Sequence, residues 1–231
     1  MSRLFLRSLV AALSAAGTLA ALSTPALACD KPTPVIVDTA RGHGNVVSFT
    51  FDDGPNPPDT YNLLAVLAKY HVKAVFCLWG DHVREHPEVV RAIVRAGHTL
   101  CNHSMHHDDM SAWTPEQIRA DLTATSALIH QAAPHSKIEY FRAPYGAWGQ
   151  TPQVAAGLGL QPLGWRFDIE DWLTPGTDVL VQRLRDRITP GAVVLMHDGG
   201  GDRSQTVAAV DQFIPEIRAG GWHLTLPLPR G

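Results

Sequence analysis

An α/β fold, a distorted or incomplete (β/α) barrel of about seven parallel strands, is what this sequence predicts. Three observations lead there. Strand-like segments with a period of two alternate with helix-like segments along nearly the whole chain. Strands separated by helices pair in parallel through right-handed crossovers. Finally, the polar clusters Asp52-Asp53, His103 to His107, Arg142, Asp168 to Asp171 and His197-Asp198 each fall at or just after the C-terminal end of a predicted strand, the face on which parallel barrels gather their chemistry.

The elements follow in order. Arg3 and Arg7 precede an apolar run from Leu9 to Leu22, and Ala26-Leu27-Ala28 closes it, which reads as a secretory signal peptide cleaved after Ala28 and predicts an extracellular protein. The alternative, an uncleaved anchor, meets Ser14, Gly17, Thr18 and Pro25 in a run shorter than the roughly 20 apolar residues a span requires. Removing residues 1–28 leaves 29–231, the size of a single catalytic domain. Val46 to Phe51 alternates clearly and is the first strand. A helix is expected from Asp59 to Tyr70, a strand from Lys73 to Trp79, a helix opened by Pro87 and stopped by Gly97, and a third strand from His98 to Cys101. Thr114-Pro115-Glu116-Gln117 combines a capping Thr, a first-turn Pro and a Gln three residues on, and so begins a helix to about Ala133. Tyr140 to Arg142 and Leu160 to Trp165 are the fourth and fifth strands, with a helix from Thr151-Pro152 between them. A helix over 178–188, a strand over 192–196, a helix over 206–219 and a short strand over 222–226 complete the pattern.

Loss of the leader moves the formal charge from −3 to −5, because it carries Arg3 and Arg7 and no acid. An acidic balance without basic runs excludes nucleic acid and a stable membrane partner, and a monomer is expected. Three cysteines in an oxidising compartment favour one disulfide and one leftover thiol. Cys77 and Cys101 lie in successive predicted strands, so a bridge between them can form if those strands are neighbours, with two separate buried thiols as the equal alternative.

Neighbouring residues on a strand point to opposite faces, so Asp52 and Asp53 are expected to divide their work, one on a metal and one on protons. His103 and His107 stand four apart and need a third ligand, for which Asp53 is the natural choice. Two imidazoles and a carboxylate leave coordination positions open, as in a catalytic site, and suit Zn²⁺ or another divalent transition ion such as Co²⁺ or Ni²⁺. An isolated H-x-x-x-H is weak evidence, because most such pairs decorate a helix surface. His106 competes with His107 on spacing alone. Of the 12 histidines, His71, His82, His86, His98, His130 and His135 are read as solvated or capping. Asp108, Asp109, Asp168 and Asp198 are candidates to line a groove, and for Trp113 and Trp148 core packing is the default over sugar stacking.

Taken together, TFDDGP at 50–55, HSMHH at 103–107, RAPY at 142–145, DIEDW at 168–172 and LMHD at 195–198 resemble, in order and spacing, the five motifs of the NodB-homology polysaccharide deacetylases, carbohydrate esterase family 4. The resemblance runs from about Val46 to about Leu226. It implies that Asp52 is the general base, that Asp53, His103 and His107 hold the metal, and that Arg142 fixes Asp52. It also implies that His197 is the general acid with Asp171 as its partner. The amide of Tyr145 would then steady the oxyanion with the metal, and Trp172 and Leu195 would wall the acetyl pocket.

The family acts on acetylated polysaccharides and oligosaccharides, and removes N-acetyl groups from chitin or peptidoglycan glycans and O-acetyl groups from xylan. The expectation here is N-deacetylation of β-1,4-linked N-acetylglucosamine chains, with acetylxylan esterase as the alternative. A sugar-binding module without turnover would be expected to lack a base, a ligand or the acid, and all of these residues are present.

Overall fold

A computed structural model of the chain describes residue 1 and residues 34–229. The expected export signal, its cleavage point and Cys29 therefore lie outside the described residues. The elements are β1 (Val46–Gly54), α1 (Asp59–Lys69), β2 (Val75–Leu78), α2 (Gly80–Glu85), α3 (Pro87–Arg95), β3 (Thr99–Asn102), α4 (Pro115–Ala132), β4 (Ile138–Phe141), α5 (Thr151–Gly157), β5 (Gln161–Pro162), β6 (Phe167–Asp168), α6 (Thr177–Arg187), β7 (Ala192–His197), α7 (Ser204–Ala219) and β8 (His223–Leu224).

All the strand pairs are parallel, in the order β5-β4-β3-β2-β1-β7-β6, with β8 beside the start of β1. The sheet curls into the expected distorted, incomplete barrel with helices around it. β1 is an interior strand between β2 and β7, and all nine of its residues are buried. Its alternation sorts them by face. Val47, Phe49 and Phe51 join the large core under the helices, together with Phe76, Leu100, Phe141 and Phe213. Each such apolar side chain fully withdrawn from water contributes roughly 1.5–3 kcal/mol. A smaller cluster on the other face contains Val75, Cys77, Cys101, Tyr140, Leu163 and Val193. Cys77 and Cys101 are register partners on adjacent strands, and a disulfide joins them.

The capping box predicted at residue 114 is present. Thr114 Oγ1 accepts from Gln117 N at 3.3 Å, and Gln117 Oε1 accepts from Thr114 N at 2.9 Å. Two expectations change. The fifth strand expected over 160–165 shrinks to the two residues of β5, which pair with β4; a separate short strand, β6, follows after 163–166 and pairs with β7. The carbonyls of Leu163 and Gly164 accept instead from the buried Arg142 guanidinium, at 3.1 and 3.0 Å. Residues 37–39 cross this interruption: Val37 bridges Leu163 and Thr39 bridges Ala192. The second change is α2, a short helix that carries no apolar periodicity to announce it.

Candidate active site

The C-terminal ends of the strands enclose a cavity of about 510 Å³ lined by residues from four of the five polar clusters, with the fifth, Arg142, buried behind Asp52. Asp52 and Asp53 both line it, contrary to the strict strand expectation. The reason is local: Asp53 takes a left-handed φ of 69°, which ends the alternation of β1 and returns its side chain to the face of Asp52. The His103–His107 segment is a turn rather than a helix, with Ser104 and His107 left-handed at φ 65° and 57°. Ser104 Oγ accepts from His107 N at 3.0 Å, and the turn folds His107 back beside His103, with ring centroids 5.0 Å apart.

Asp53 Oδ1 lies 3.3 Å from both His103 Nε2 and His107 Nε2. That oxygen is buried and hydrogen-bonded to neither. One ligand atom from each of the three residues lies within 4.8 Å of the others. An orphaned carboxylate oxygen between two imidazole nitrogens is what a divalent cation site requires, so the donor set fits Zn²⁺ or a similar ion. His103 Nδ1 stands 2.8 Å from the Arg142 carbonyl, which can only accept, so Nδ1 carries the proton and Nε2 faces Asp53. His106 is exposed and turns to Asp81 at 2.8 Å, leaving His107 as the second imidazole.

Electrostatics separates these groups. Burial would raise the Asp53 pKa, but the close approach and charge of His103, with the charges of His197 and His107, hold it well below the usual carboxylate range. For His103 burial alone would lower the pKa, and the Asp52 charge followed by Asp53 reverses it to a net rise. His107 is lowered by burial and then by His103.

Arg142, fully buried, donates from Nη1 to Asp52 Oδ1 at 2.7 Å. Its other nitrogens are held by two carbonyls, so it locks one Asp52 oxygen and leaves Oδ2 facing the histidines, 3.7 Å from His103 Nε2. Across the cavity His197 ends β7 in register with Asp52. Its Nδ1 is 2.7 Å from Asp171 Oδ1, and its backbone N donates to Asp171 Oδ2 at 2.8 Å. Thr206 Oγ1 donates to the same oxygen at 2.9 Å. Burial pushes the His197 pKa down, but the Asp171 hydrogen bond and charge outweigh it and the net direction is upward. The Asp52 carboxyl group and the His197 ring thus face each other across the cavity, placed to accept and give protons on opposite sides of one substrate atom.

Tyr145, left-handed at φ 58°, and the exposed Trp172 stand on the rim, and Leu195 lies in the wall. Asp168 lines the cavity. Asp108 and Asp109 are exposed on the surface, and Asp198 is fully buried beneath it. Asp198 accepts from Thr60 Oγ1 at 2.6 Å, and burial pushes its pKa up to about 7. It packs so closely on Gly54 that a β-carbon there would fall 2.3 Å from its carboxylate. Trp113 and Trp148 pack against the core as expected. Two histidines read as solvated or capping are neither. His82 is half-buried with Nδ1 at 2.6 Å from the Asp53 carbonyl, and His98 is buried and accepts from Ala74 N at 3.2 Å. Both receive their partners from distant segments, which no local pattern reveals. Trp165, Gly200 and Arg203 also line the cavity without having been singled out; a cation just after Gly199-Gly200-Gly201 was the available signal for Arg203.

The polysaccharide deacetylase family model matches residues 39–163. A chitooligosaccharide deacetylase of Bradyrhizobium sp. (strain ANU 289) is 38% identical over 207 residues, which cover 82% of this chain and 94% of that protein. A peptidoglycan-N-acetylglucosamine deacetylase of Bacillus cereus is 31% identical over 195 residues, covering 83% and 91%. The crystal structure of a carbohydrate esterase family 4 pseudoenzyme from Bacillus anthracis matches with a TM-score of 0.76 at 29% identity, over 85% of this chain and 68% of that one.

Proposed function

This chain belongs to the polysaccharide deacetylase family, and from that premise we propose that it is a metal-dependent enzyme that hydrolyses N-acetyl groups of β-1,4-linked N-acetylglucosamine glycans, chitin oligosaccharides or peptidoglycan strands, and releases acetate. The observation that carries this reading is a single cavity with the Asp53–His103–His107 corner on one side and the Asp171–His197 pair on the other, Asp52 standing between them. The names of the relatives favour the amide over the ester of acetylxylan. The likeness to a pseudoenzyme raises the non-catalytic alternative, against which stands the presence here of base, ligands and acid together.

Zn²⁺, or Co²⁺ or Ni²⁺ in its place, would be held by Asp53, His103 and His107, and when bound it supplies a Lewis acid and an acidified water. Asp52, oriented by Arg142, takes the proton of the attacking water on Oδ2. The backbone N–H of Tyr145 donates to the developing oxyanion, and Trp172 and Leu195 enclose the acetyl methyl. His197, with Nδ1 on Asp171, keeps Nε2 as the free ring nitrogen and gives its proton to the leaving amine. Residues 1–28 direct export, so the enzyme meets its glycan outside the cell as a monomer without a membrane partner.

The test is acetate release from N-acetylated chitooligosaccharides and, separately, from acetylated xylan, after chelation and after adding back Zn²⁺ or Co²⁺, with Asp52→Ala alongside. Release that returns with metal, prefers the amide and is absent in the variant is expected. Ester preference would make the chain an acetylxylan esterase, and no release with sugar binding intact would make it a binding module.

A further inference from the structure

Arg203 follows the Gly199–Gly201 turn at the mouth of α7, and its side chain is buried in the cavity wall with 4% exposure. A buried guanidinium ordinarily sits against a carboxylate. Arg203 forms no ion pair among the described residues, and its donors go to main-chain carbonyls instead. Nε donates to Gly199 O at 2.7 Å and Nη2 to Gly200 O at 2.9 Å; Nη1 makes longer contacts to Asp171 O at 3.4 Å and Asp202 O at 3.5 Å. Its own backbone N donates to Asp59 Oδ2 at 2.8 Å, which anchors the clamp to the start of α1.

The turn it grips rests directly on the two acids of β1. Asp198 N and Gly199 N both donate to Asp52 O, at 3.0 and 3.2 Å. A β-carbon on Gly199 would fall 2.0 Å from Asp53 O, and one on Gly200 would fall 2.8 Å from Asp53 Oδ2. Glycine permits that approach but brings no side chain to hold it and the largest conformational freedom to lose. Apart from Asn56 Nδ2, which donates to Gly201 O at 3.0 Å, the side-chain grip on these glycines comes from Arg203. Charge-assisted bonds to carbonyls are about twice as strong as neutral ones, which suits a residue whose task is to immobilise a bare turn.

We propose that Arg203 is a positioning residue for the cation corner: by fixing the Gly199–Gly200 turn against Asp53 it sets the affinity of Asp53, His103 and His107 for a divalent ion, and through the Asp171 carbonyl it ties that corner to the support of His197. The inference rests on the metal-dependent reading above. It differs from a merely structural role in what it moves. Loss of the clamp frees Asp53 to shift and weakens metal binding, by about ten-fold or more on the scale usual for groups that orient metal ligands.

The experiment compares wild type, Arg203→Met and Arg203→Lys, each stripped and refilled with Zn²⁺. Affinity is measured by competition with a chromogenic chelator, kcat and KM on an N-acetylated chitooligosaccharide at saturating Zn²⁺, and Tm on the metal-free proteins. Arg203→Met is expected to bind Zn²⁺ about ten-fold or more weakly and to lose kcat with KM within about two-fold. Arg203→Lys, whose ammonium reaches fewer carbonyls, should fall between and carries the test if the Met variant does not fold. Folded variants that hold Zn²⁺ as tightly as wild type overturn the inference alone, whatever their Tm. A wild type that holds no Zn²⁺ breaks the metal-dependent reading and the inference with it.

Discussion

The Asp53–His103–His107 corner and the Asp171–His197 corner face each other across one cavity, yet they are held by different means. The first hangs on backbone ladders. β1 is bonded on both sides, Asp52 standing in register with Cys77 of β2 and His197 of β7, and His103 N donates to Leu78 O at 3.0 Å as β3 ends. In the second corner only His197 belongs to a long strand. Asp171 comes from a loop after the two-residue β6, between left-handed Glu170 and Thr174, and helix α6 grips that loop from outside. Arg183 Nη1 donates to Ile169 O at 2.8 Å, and Arg187 Nη1 donates to Asp168 O at 2.9 Å. A ladder fixes a residue through regular backbone bonds to the adjacent strands, whereas the loop depends on individual side chains that the fold must first bring to it.

If the ladder corner separates metal from proton work as its geometry implies, Asp52→Asn should lower kcat by about 10³-fold or more while Zn²⁺ affinity stays within a few-fold of wild type. Paired turnover and chelator-competition measurements decide this, and a matching loss of metal would merge the two roles.

The opposite corner predicts a smaller loss with a different signature. Asp171 raises the His197 pKa, and if His197 is the general acid proposed above it must be protonated, so activity should fall as pH rises through that value. Asp171→Asn removes the support, so the basic limb should move to lower pH, with kcat at the optimum reduced about 10²-fold. An unmoved limb in the pH–rate profile removes Asp171 from the mechanism.

The smallest effect concerns the ladder itself. His98 at the entrance to β3 is pushed down to about 4 by burial and then by Lys73. A base whose folded pKa is depressed costs stability when the unfolded chain takes up a proton that the folded chain refuses. Stability should therefore be intact above about pH 6.5 and decline toward about pH 4, by about 2 kcal/mol once residual solvent contact is discounted. Urea unfolding at pH 7 and pH 4.5 should show the drop, and His98→Asn should flatten it. An equal drop in the variant would assign the acid sensitivity to other groups.

What could be read in advance follows the same division. β1 was legible because its alternation is local, α4 because Thr114, Pro115 and Gln117 form a cap within four positions, and the polar clusters because each closes a strand. The shortening of the strand expected over 160–165 was not legible, since the carbonyls of Leu163 and Gly164 are taken by Arg142, which follows β4. Nor was α2, which is too short for a period. His82, His98 and Arg203 were missed because their partners, at Asp53, Ala74 and the Gly199–Gly201 turn, are brought to them only by the fold or face them only within it.

By itself, then, the sequence determined the order of strands and helices, the parallel barrel they imply and the motif residues at the strand ends, because periodicity, caps and spacing act over a few residues. Only the tertiary structure decided that Asp52 and Asp53 share one cavity, that His107 rather than His106 joins Asp53, that Cys77 meets Cys101, and that a buried arginine grips a glycine turn. Each of those depends on a backbone reversal or a long-range contact, and its free energy exists only once the sheet has curled and its edges have met.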